Sequence, residues 1–229
     1  EKGLKAAMFS MYDRQEDDIE RYTQGVCFKG FNQRKGSFIF SAIRKGVSSD
    51  TIVLSHINLL SVGWLIKLLA PRKKLLVFTH GIEVWRTLSA TRKFMLRYCD
   101  QFIAVSRYTR DQLISLHGVP ESKITVLNNC IDPFLPAPGK REKSAELMQR
   151  YGFSASDFIL MTLSRLSSSE LYKGYDHVLL AVAVLEKKFP CIRYLIVGKS
   201  DAEEQRRLEA IVREFGISNR VVFTGYVPD

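Results

Sequence analysis

The chain alternates short apolar runs with segments of helical pattern. Thr51-Ile52-Val53-Leu54-Ser55 and Lys74 to Thr79 read as buried strands, and Phe102 to Val105 and Lys123 to Leu127 as further strands. Leu59 to Leu69, residues 89–98 and Tyr108 to His117 read as the helices between them. Lys5 to Ser10 offers one more strand. Residues 13–50 show little pattern beyond the apolar run Phe38-Ile39-Phe40 between the basic pairs Arg34-Lys35 and Arg44-Lys45. Asp132 to Gly139 then holds three prolines and a glycine in eight residues, a linker composition. The alternation restarts with strands at Phe158 to Leu163, Tyr194 to Val197 and Val221 to Thr224. Helices are expected at Tyr175 to Lys188, with Val178, Leu179, Val182 and Leu185 on one face, and at Ala202 to Phe215. Strand–helix alternation of this kind argues for parallel sheets covered by helices. The fold class is therefore α/β, with two Rossmann-like parallel-sheet domains: residues 1–132, a Pro-rich linker over 133–150, and residues 151–229.

Composition changes this picture in one respect. The 229 residues are 46% hydrophobic, enough for a packed core, and carry a formal net charge of +10. The charge is concentrated: residues 21–110 hold 16 Lys and Arg against Asp50, Glu83 and Asp100, whereas residues 136–229 hold 14 basic and 12 acidic groups. A cationic first half suits an anionic membrane surface, a phosphorylated acceptor or nucleic acid. Cys27, Cys99, Cys130 and Cys191 show neither a C-x-x-C pair nor metal-ligand spacing, which favours a reducing, cytoplasmic setting. The longest apolar stretch, Leu59 to Ala70, contains Lys67 and has 12 residues. A spanning helix needs about 20.

In open parallel sheets ligands bind beyond the carboxyl ends of the strands. Those ends read Ser55-His56, Thr79-His80-Gly81, Ser106-Arg107 and Asn128-Asn129 in the first half. In the second they read Ser164-Arg165, Gly198-Lys199 and Thr224-Gly225. Arg165 closes a strand and Lys173-Gly174 opens a helix, so two cations flank one strand–loop–helix turn. An Arg fork, a mobile Lys charge and the free N–H groups of a helix start make a clamp for a diphosphate. Gly174 would let an anion approach the backbone. Against this stands the plainer account of a solvated loop with two surface charges.

The segment Ser164-Arg165 through Lys173-Gly174 resembles the Arg…Lys-Gly stretch of the GT-B glycosyltransferases of family 4 (group 1), with a longer loop than the commonest version. Val77-Phe78-Thr79-His80-Gly81 is similar to that family's strand ending in His-Gly or His-Asp, and Ile103-Ala104-Val105-Ser106 to its Val-Ser segment. Val126 to Asp132 resembles its stretch before the second domain, and Tyr194 to Gly198 and Val221 to Val227 its next two strands. The resemblance runs in order from about Ser55 to Asp229. It implies a GT-B enzyme that transfers a sugar from a UDP- or GDP-linked donor to a glycan or lipid-linked acceptor, with retention of configuration. Arg165, Lys173 and Gly174 would hold the donor diphosphate, and His80 would lie beside the donor sugar. Gly198, Gly225, Tyr226 and Val227 would approach the base; His56 and Ser106 would lie on the acceptor side. Two departures are visible. The family's Gly-rich loop after its first strand has no counterpart before Ser55, and its two glutamates separated by seven residues are absent. Both domains are therefore expected to be incomplete, and the chain an internal fragment with little or no turnover of its own.

Each of these residues has a structural alternative. His80 could be satisfied by backbone, Ser106 could cap a helix, and Asn128 could shape the hinge. Glu83 could pair with Arg86 or stabilise a helix start, and Lys199 could be solvated. The basic helix Arg92-Lys93…Arg97 could be a solvated face or a membrane-docking one. No D-x-D triplet occurs, so no metal is expected to assist; no G-x-S-x-G elbow or P-loop motif occurs either. No cofactor beyond the donor is implied, and nucleic acid is not expected as a partner, since no binding signature accompanies the charge. A sugar-nucleotide epimerase of the same fold and a non-catalytic basic docking module are the alternatives.

Overall fold

A computed structural model describes residues 5–15, 20–23, 25–135, 139 and 142–227. The termini, part of the expected linker (136–138 and 140–141) and Asp229 lie outside the described residues. The chain forms two compact units, Glu1–Leu135 and Pro136–Asp229.

The first unit runs β1 (Ala7–Ser10), α1 (Glu20–Thr23), β2 (Cys27–Gly30), α2 (Lys35–Val47), β3 (Thr51–Leu54), α3 (Leu60–Leu69), β4 (Lys74–Thr79), α4 (Ala90–Leu96), β5 (Gln101–Ala104), α5 (Arg107–His117) and β6 (Ile124–Val126). Strands β3-β4-β5-β6 form one parallel sheet, and β1-β2 a separate parallel pair. The core is built on Ile57, Leu75, Val77, Phe102, Ala104 and Leu113, each no more than 1% exposed. Lys67, the charge inside the apolar stretch, is accounted for by Asp100. Its Oδ2 accepts from Lys67 Nζ at 3.0 Å and from the Leu75 N–H at 2.7 Å, while Lys67 also donates to the Lys73 carbonyl. Burial pushes the Cys99 thiol up to about 12, so it packs as a small hydrophobe rather than serving as a nucleophile.

One expectation for this unit needs correction. Thr51–Ser55 is not a buried strand. β3 lies at the edge of its sheet, and Val53 is 54% exposed while Leu54 is buried. The helix Lys35–Val47 lies over a segment without readable pattern. Phe38, Ile39 and Phe40 are consecutive rather than spaced at 3.6, and Arg34 caps the helix with no side-chain hydrogen bond. Packing rather than periodicity fixes α2. Phe38 is buried edge-on against Phe31, and Gly46 lies so close to α3 that an added Cβ would come within 2.5 Å of Ile66 Cδ1.

The second unit runs α6 (Ala145–Tyr151), β7 (Phe158–Leu163), α7 (Tyr175–Leu185), β8 (Ile192–Val197), α8 (Ala202–Glu214) and β9 (Val221–Gly225), with β7-β8-β9 parallel. Tyr175, Leu179 and Val182 of α7 are buried on Tyr194 and Ile196 of β8 and on Leu208 of α8, with Val178 and Leu185 packed beside them. One ion-pair network ties the two helices together. Glu204, fully buried, binds Arg207 through both oxygens at 2.7 and 2.8 Å, and Arg207 reaches Asp176 at 3.1 Å. A charge buried this deeply is tolerated because it is paired with good geometry.

Candidate functional site

The carboxyl edge of the second sheet is held together by a glycine. Gly198 has φ of +137°, and an added Cβ would lie 1.9 Å from the Ser164 carbonyl oxygen. Only glycine lets the end of β8 approach the end of β7 so closely. Around it, Ser164 N donates to the Val197 carbonyl at 2.9 Å and Gly198 N to the Gly225 carbonyl at 3.0 Å, so three strand ends converge. Gly225 also has positive φ, and Tyr226 and Val227 follow it with side chains 74% and 41% exposed.

From this edge the chain enters the loop that carries Arg165 and Lys173. It is a fixed loop. Ser168 N donates to Asp201 Oδ2 at 2.9 Å, and the same carboxylate caps α8 through the Glu204 N–H at 2.8 Å. Ser167 N donates to the Tyr175 hydroxyl at 3.3 Å, and burial pushes that hydroxyl up to about 12, so it stays protonated. A one-turn 3₁₀ helix, Leu171–Lys173, delivers Lys173, and Gly174 in the left-handed region starts α7 with no side-chain cap. Gly174 brings no side chain to the first turn of α7, whose His177 N–H is taken instead by Asp176 Oδ1 at 3.0 Å and by the Gly174 carbonyl at 3.1 Å.

The loop brings Arg165 and Lys173 onto one carboxylate. Arg165 donates through Nη2 to Glu170 Oε1 and through Nε to Glu170 Oε2 at 3.3 Å. Lys173 Nζ lies 2.9 Å from Glu170 Oε2 and 3.2 Å from the Arg165 carbonyl. The Arg165 side chain is 71% exposed, so its remaining N–H donors face solvent, whereas Glu170 is 16% exposed. The Arg165 and Lys173 hydrogen bonds hold the Glu170 carboxyl below the usual glutamate range, while Glu170 raises Arg165 further. Glu170 was not singled out from sequence. A Glu three residues before Lys173 was its only signal, and the loop gave no reason to bring it onto Arg165.

The carboxyl edge of the first unit is built differently. His80 Nε2 lies 2.7 Å from the Ser55 carbonyl and donates to it, which fixes the orientation of the ring. His56 Nδ1 accepts from the Asn58 N–H at 3.0 Å and begins a 3₁₀ turn. The two imidazoles stack with centroids 5.9 Å apart. The turn after His80 is closed by Glu83, which accepts from the His80 backbone N–H; no Glu83–Arg86 pair is present among the described residues, contrary to the salt-bridge alternative. Gly81, with φ of +139°, leaves room for Trp85, whose indole N–H reaches Thr109 Oγ1 at 3.3 Å. Thr109 in turn contacts Ser106, which caps α5 through Thr109 N at 3.1 Å. One chain of contacts thus joins His80, Gly81 and Ser106. Two cations of the basic helix are engaged by the protein itself: Arg92 on Asn58 and Lys93 on the Leu116 carbonyl.

Among the described residues no cluster of three or more His, Cys, Asp or Glu could hold a metal ion, and no helix is long and apolar enough to cross a membrane.

Two units, each with a parallel sheet covered by helices, fit the GT-B class, and comparison with known proteins agrees. Residues 11–134 match Glycosyltransferase Family 4, and residues 143–229 match Glycosyl transferases group 1. The chain belongs to this glycosyltransferase family. It is 30% identical over 139 residues to mannosylfructose-phosphate synthase of Agrobacterium fabrum, covering 58% of this chain and 30% of that protein. It is 27% identical over 145 residues to 2-deoxystreptamine glucosyltransferase of Streptomyces kanamyceticus, covering 62% and 35%. The chain thus spans about a third of the length of these relatives. In fold it matches Anabaena HepE, solved in complex with UDP, with a TM-score of 0.71 at 19% identity over 98% of this chain and 70% of that one. A glycosyltransferase from Rickettsia africae matches with a TM-score of 0.70 at 18% identity, covering 98% and 61%.

Proposed function

We propose that the protein containing this chain transfers a sugar from a nucleotide-diphosphate donor to a hydroxyl of a glycan or lipid-linked acceptor, with retention and without a metal. The observation that carries the reading is the convergence of Arg165 and Lys173 on the single carboxylate of Glu170, at a strand end and beside the start of α7. Two cations that already share one anion are spaced to share another. As the bond to the leaving diphosphate breaks, negative charge grows on its oxygens. The Arg165 fork, the Lys173 ammonium and the α7 N–H groups stabilise that charge more in the transition state than in the bound donor. These cations take the role that a metal would fill elsewhere. Gly198, Gly225, Tyr226 and Val227 lie at the same edge, where the base and ribose of the donor would extend. His80, whose ring is oriented by the Ser55 carbonyl, is assigned to a hydroxyl of the donor sugar, and His56 and Ser106 to the acceptor side. In this reading the protein works in the cytoplasm, and the cationic first half favours acceptors at an anionic membrane face.

Titration with UDP and with GDP tests the donor site. Saturable binding by the parent that weakens about tenfold to a hundredfold in Arg165→Ala, and further with Lys173→Ala, supports the assignment. Binding that ignores both substitutions removes the loop from the donor site. Product analysis with a UDP-sugar separates transfer, which releases UDP, from epimerisation, which retains it on the sugar.

A further inference from the structure

Glu170 is held differently from the other carboxylates near this loop. Asp157 Oδ2 accepts from the Ser154 N–H at 2.7 Å, and Asp201 accepts from the N–H groups of Ser168 and Glu204 at 2.9 and 2.8 Å. Both are pinned by backbone. Among the described residues the Glu170 carboxylate accepts only from Arg165 and Lys173. Its backbone, by contrast, is fixed: Glu170 N donates to the Ser167 carbonyl at 2.8 Å, and the Glu170 carbonyl accepts from Lys173 N at 3.1 Å. The loop sets the position of the Cα, and the carboxylate is anchored by nothing except the two cations it neutralises. A side chain that holds cations in place has an anchor of its own, as second-shell carboxylates at other charged sites do. A carboxylate without one rotates away about its own torsions when another anion takes the cations, and the backbone does not have to move.

The donors show what is at stake. Arg165 spends Nε and Nη2, one edge of its fork, on Glu170. Lys173 Nζ spends one N–H on Glu170 and another on the Arg165 carbonyl. An ammonium has three donors, so Glu170 and a diphosphate compete for what these two side chains can give. Charge works in the same direction. A nucleotide-diphosphate sugar carries about two negative charges on its diphosphate. The nucleoside diphosphate that transfer leaves behind carries about three near neutral pH, because its terminal phosphate has a second pKa of about 6. A carboxylate beside the same cations opposes both ligands, and it opposes the more highly charged product more strongly. Glu170 is largely buried, so this repulsion is screened less than repulsion between surface charges.

Given the donor site proposed at Arg165 and Lys173, we infer that Glu170 is a resident counter-anion of that site. Its carboxylate occupies the two cations while the site is empty, gives way when the donor diphosphate arrives, and returns to them as the nucleoside diphosphate leaves. Glu170 touches the clamp and not the sugar, so it is a specificity-determining residue rather than a catalytic one: it sets the ratio of donor affinity to product affinity. Without it, the charge that transfer adds to the diphosphate would favour the product over the donor, and turnover would stall at product release.

Calorimetry on the 229-residue chain tests this, with UDP and GDP as products and UDP-glucose and GDP-mannose as the matching nucleotide sugars. Glu170→Gln keeps the shape of the side chain and removes its charge. It is expected to tighten binding of the nucleoside diphosphate about fivefold or more, and that of the matching nucleotide sugar by less. Glu170→Ala is expected to reproduce the order of these gains, so a folding defect in one variant does not decide the result. In an Arg165→Ala background the gain from Glu170→Gln is expected to shrink, because one of the cations for which Glu170 competes is gone. Unchanged or weaker binding by both Glu170 variants, where Arg165→Ala and Lys173→Ala weaken it, overturns the inference and leaves the donor site standing, with Glu170 a positioning residue. Equal gains for the two kinds of ligand also overturn it, since Glu170 then sets affinity and not the ratio. Binding that ignores Arg165→Ala and Lys173→Ala, or no binding by the parent and the Glu170 variants alike, removes the donor site and the counter-anion with it.

Discussion

The two carboxyl edges of this chain use polar side chains in opposite ways. At the first unit's edge, His56, His80, Glu83, Ser106 and Thr109 are engaged with backbone or with one another, and the outcome is a set of oriented side chains. At the second unit's edge the backbone is organised by Gly198 and Asp201, and the charges of Arg165 and Lys173 are left to each other's neighbour, Glu170. An edge that has consumed its hydrogen bonds can orient a neutral hydroxyl. An edge whose cations converge at partial exposure can take an anion. The contrast supports the proposal that the diphosphate lies at the second unit and that the first unit has a positioning role.

The largest effect that could break the contrast is expected from Gly198→Ala. The added methyl would meet the Ser164 carbonyl at 1.9 Å in a backbone conformation that L residues rarely adopt. We expect a loss of about 3 kcal/mol or more from the second unit, read as a lowered first transition in thermal or urea unfolding, with the first unit unaffected. Next is the double variant Arg165→Ala/Lys173→Ala. It should weaken UDP binding by about a hundredfold or more in calorimetry while shifting stability little, because these side chains are partly exposed. A change in melting as large as that of Gly198→Ala would mean that the pair is structural.

Acid should separate the units by an intermediate amount. In the second unit the Glu204 carboxyl is held low by Arg207, Glu170 by Arg165 and Lys173, and Asp157 and Asp201 by backbone N–H groups. Burial pushes Asp176 up, but Arg207 outweighs it. Groups depressed in the folded state contribute stability that is complete above their unfolded values, near pH 4, and is lost as pH falls through the folded ones. The first unit shows one such group among the described residues, Asp132, lowered by Tyr22. Circular dichroism between pH 5 and pH 2 should therefore show the second unit unfolding first, and simultaneous loss of both would contradict this. The smallest effect is expected from Ser106→Ala. Loss of the α5 cap should cost about 1 kcal/mol in the first unit and leave nucleotide binding unchanged, whereas a drop in UDP affinity would place Ser106 at the donor.

Much of this was legible in the residues. Lys74–Thr79 and Phe158–Leu163 are strands over the expected residues, and the helices that follow them begin and end within a few residues of expectation, because strand and helix periods are local properties of the sequence. β2 and α2 were not legible. Cys27-Phe28-Lys29-Gly30 carries a charge and a glycine inside a strand, and α2 has three consecutive apolar residues, a glycine near each end and no cap, so neighbours rather than local preference decide both.

The same division holds at the site. Sequence alone determined that Arg165 ends a strand and that Lys173-Gly174 precedes a helix, since both follow from local pattern. It also determined that the chain carries the ordered motifs of its family. Only the tertiary structure decided that Glu170 sits between the two cations, that Gly198 is held against Ser164, and that β3 is an edge strand. Each of these depends on which strands become neighbours. That is set by packing between segments far apart in the chain, and no window of local sequence contains it.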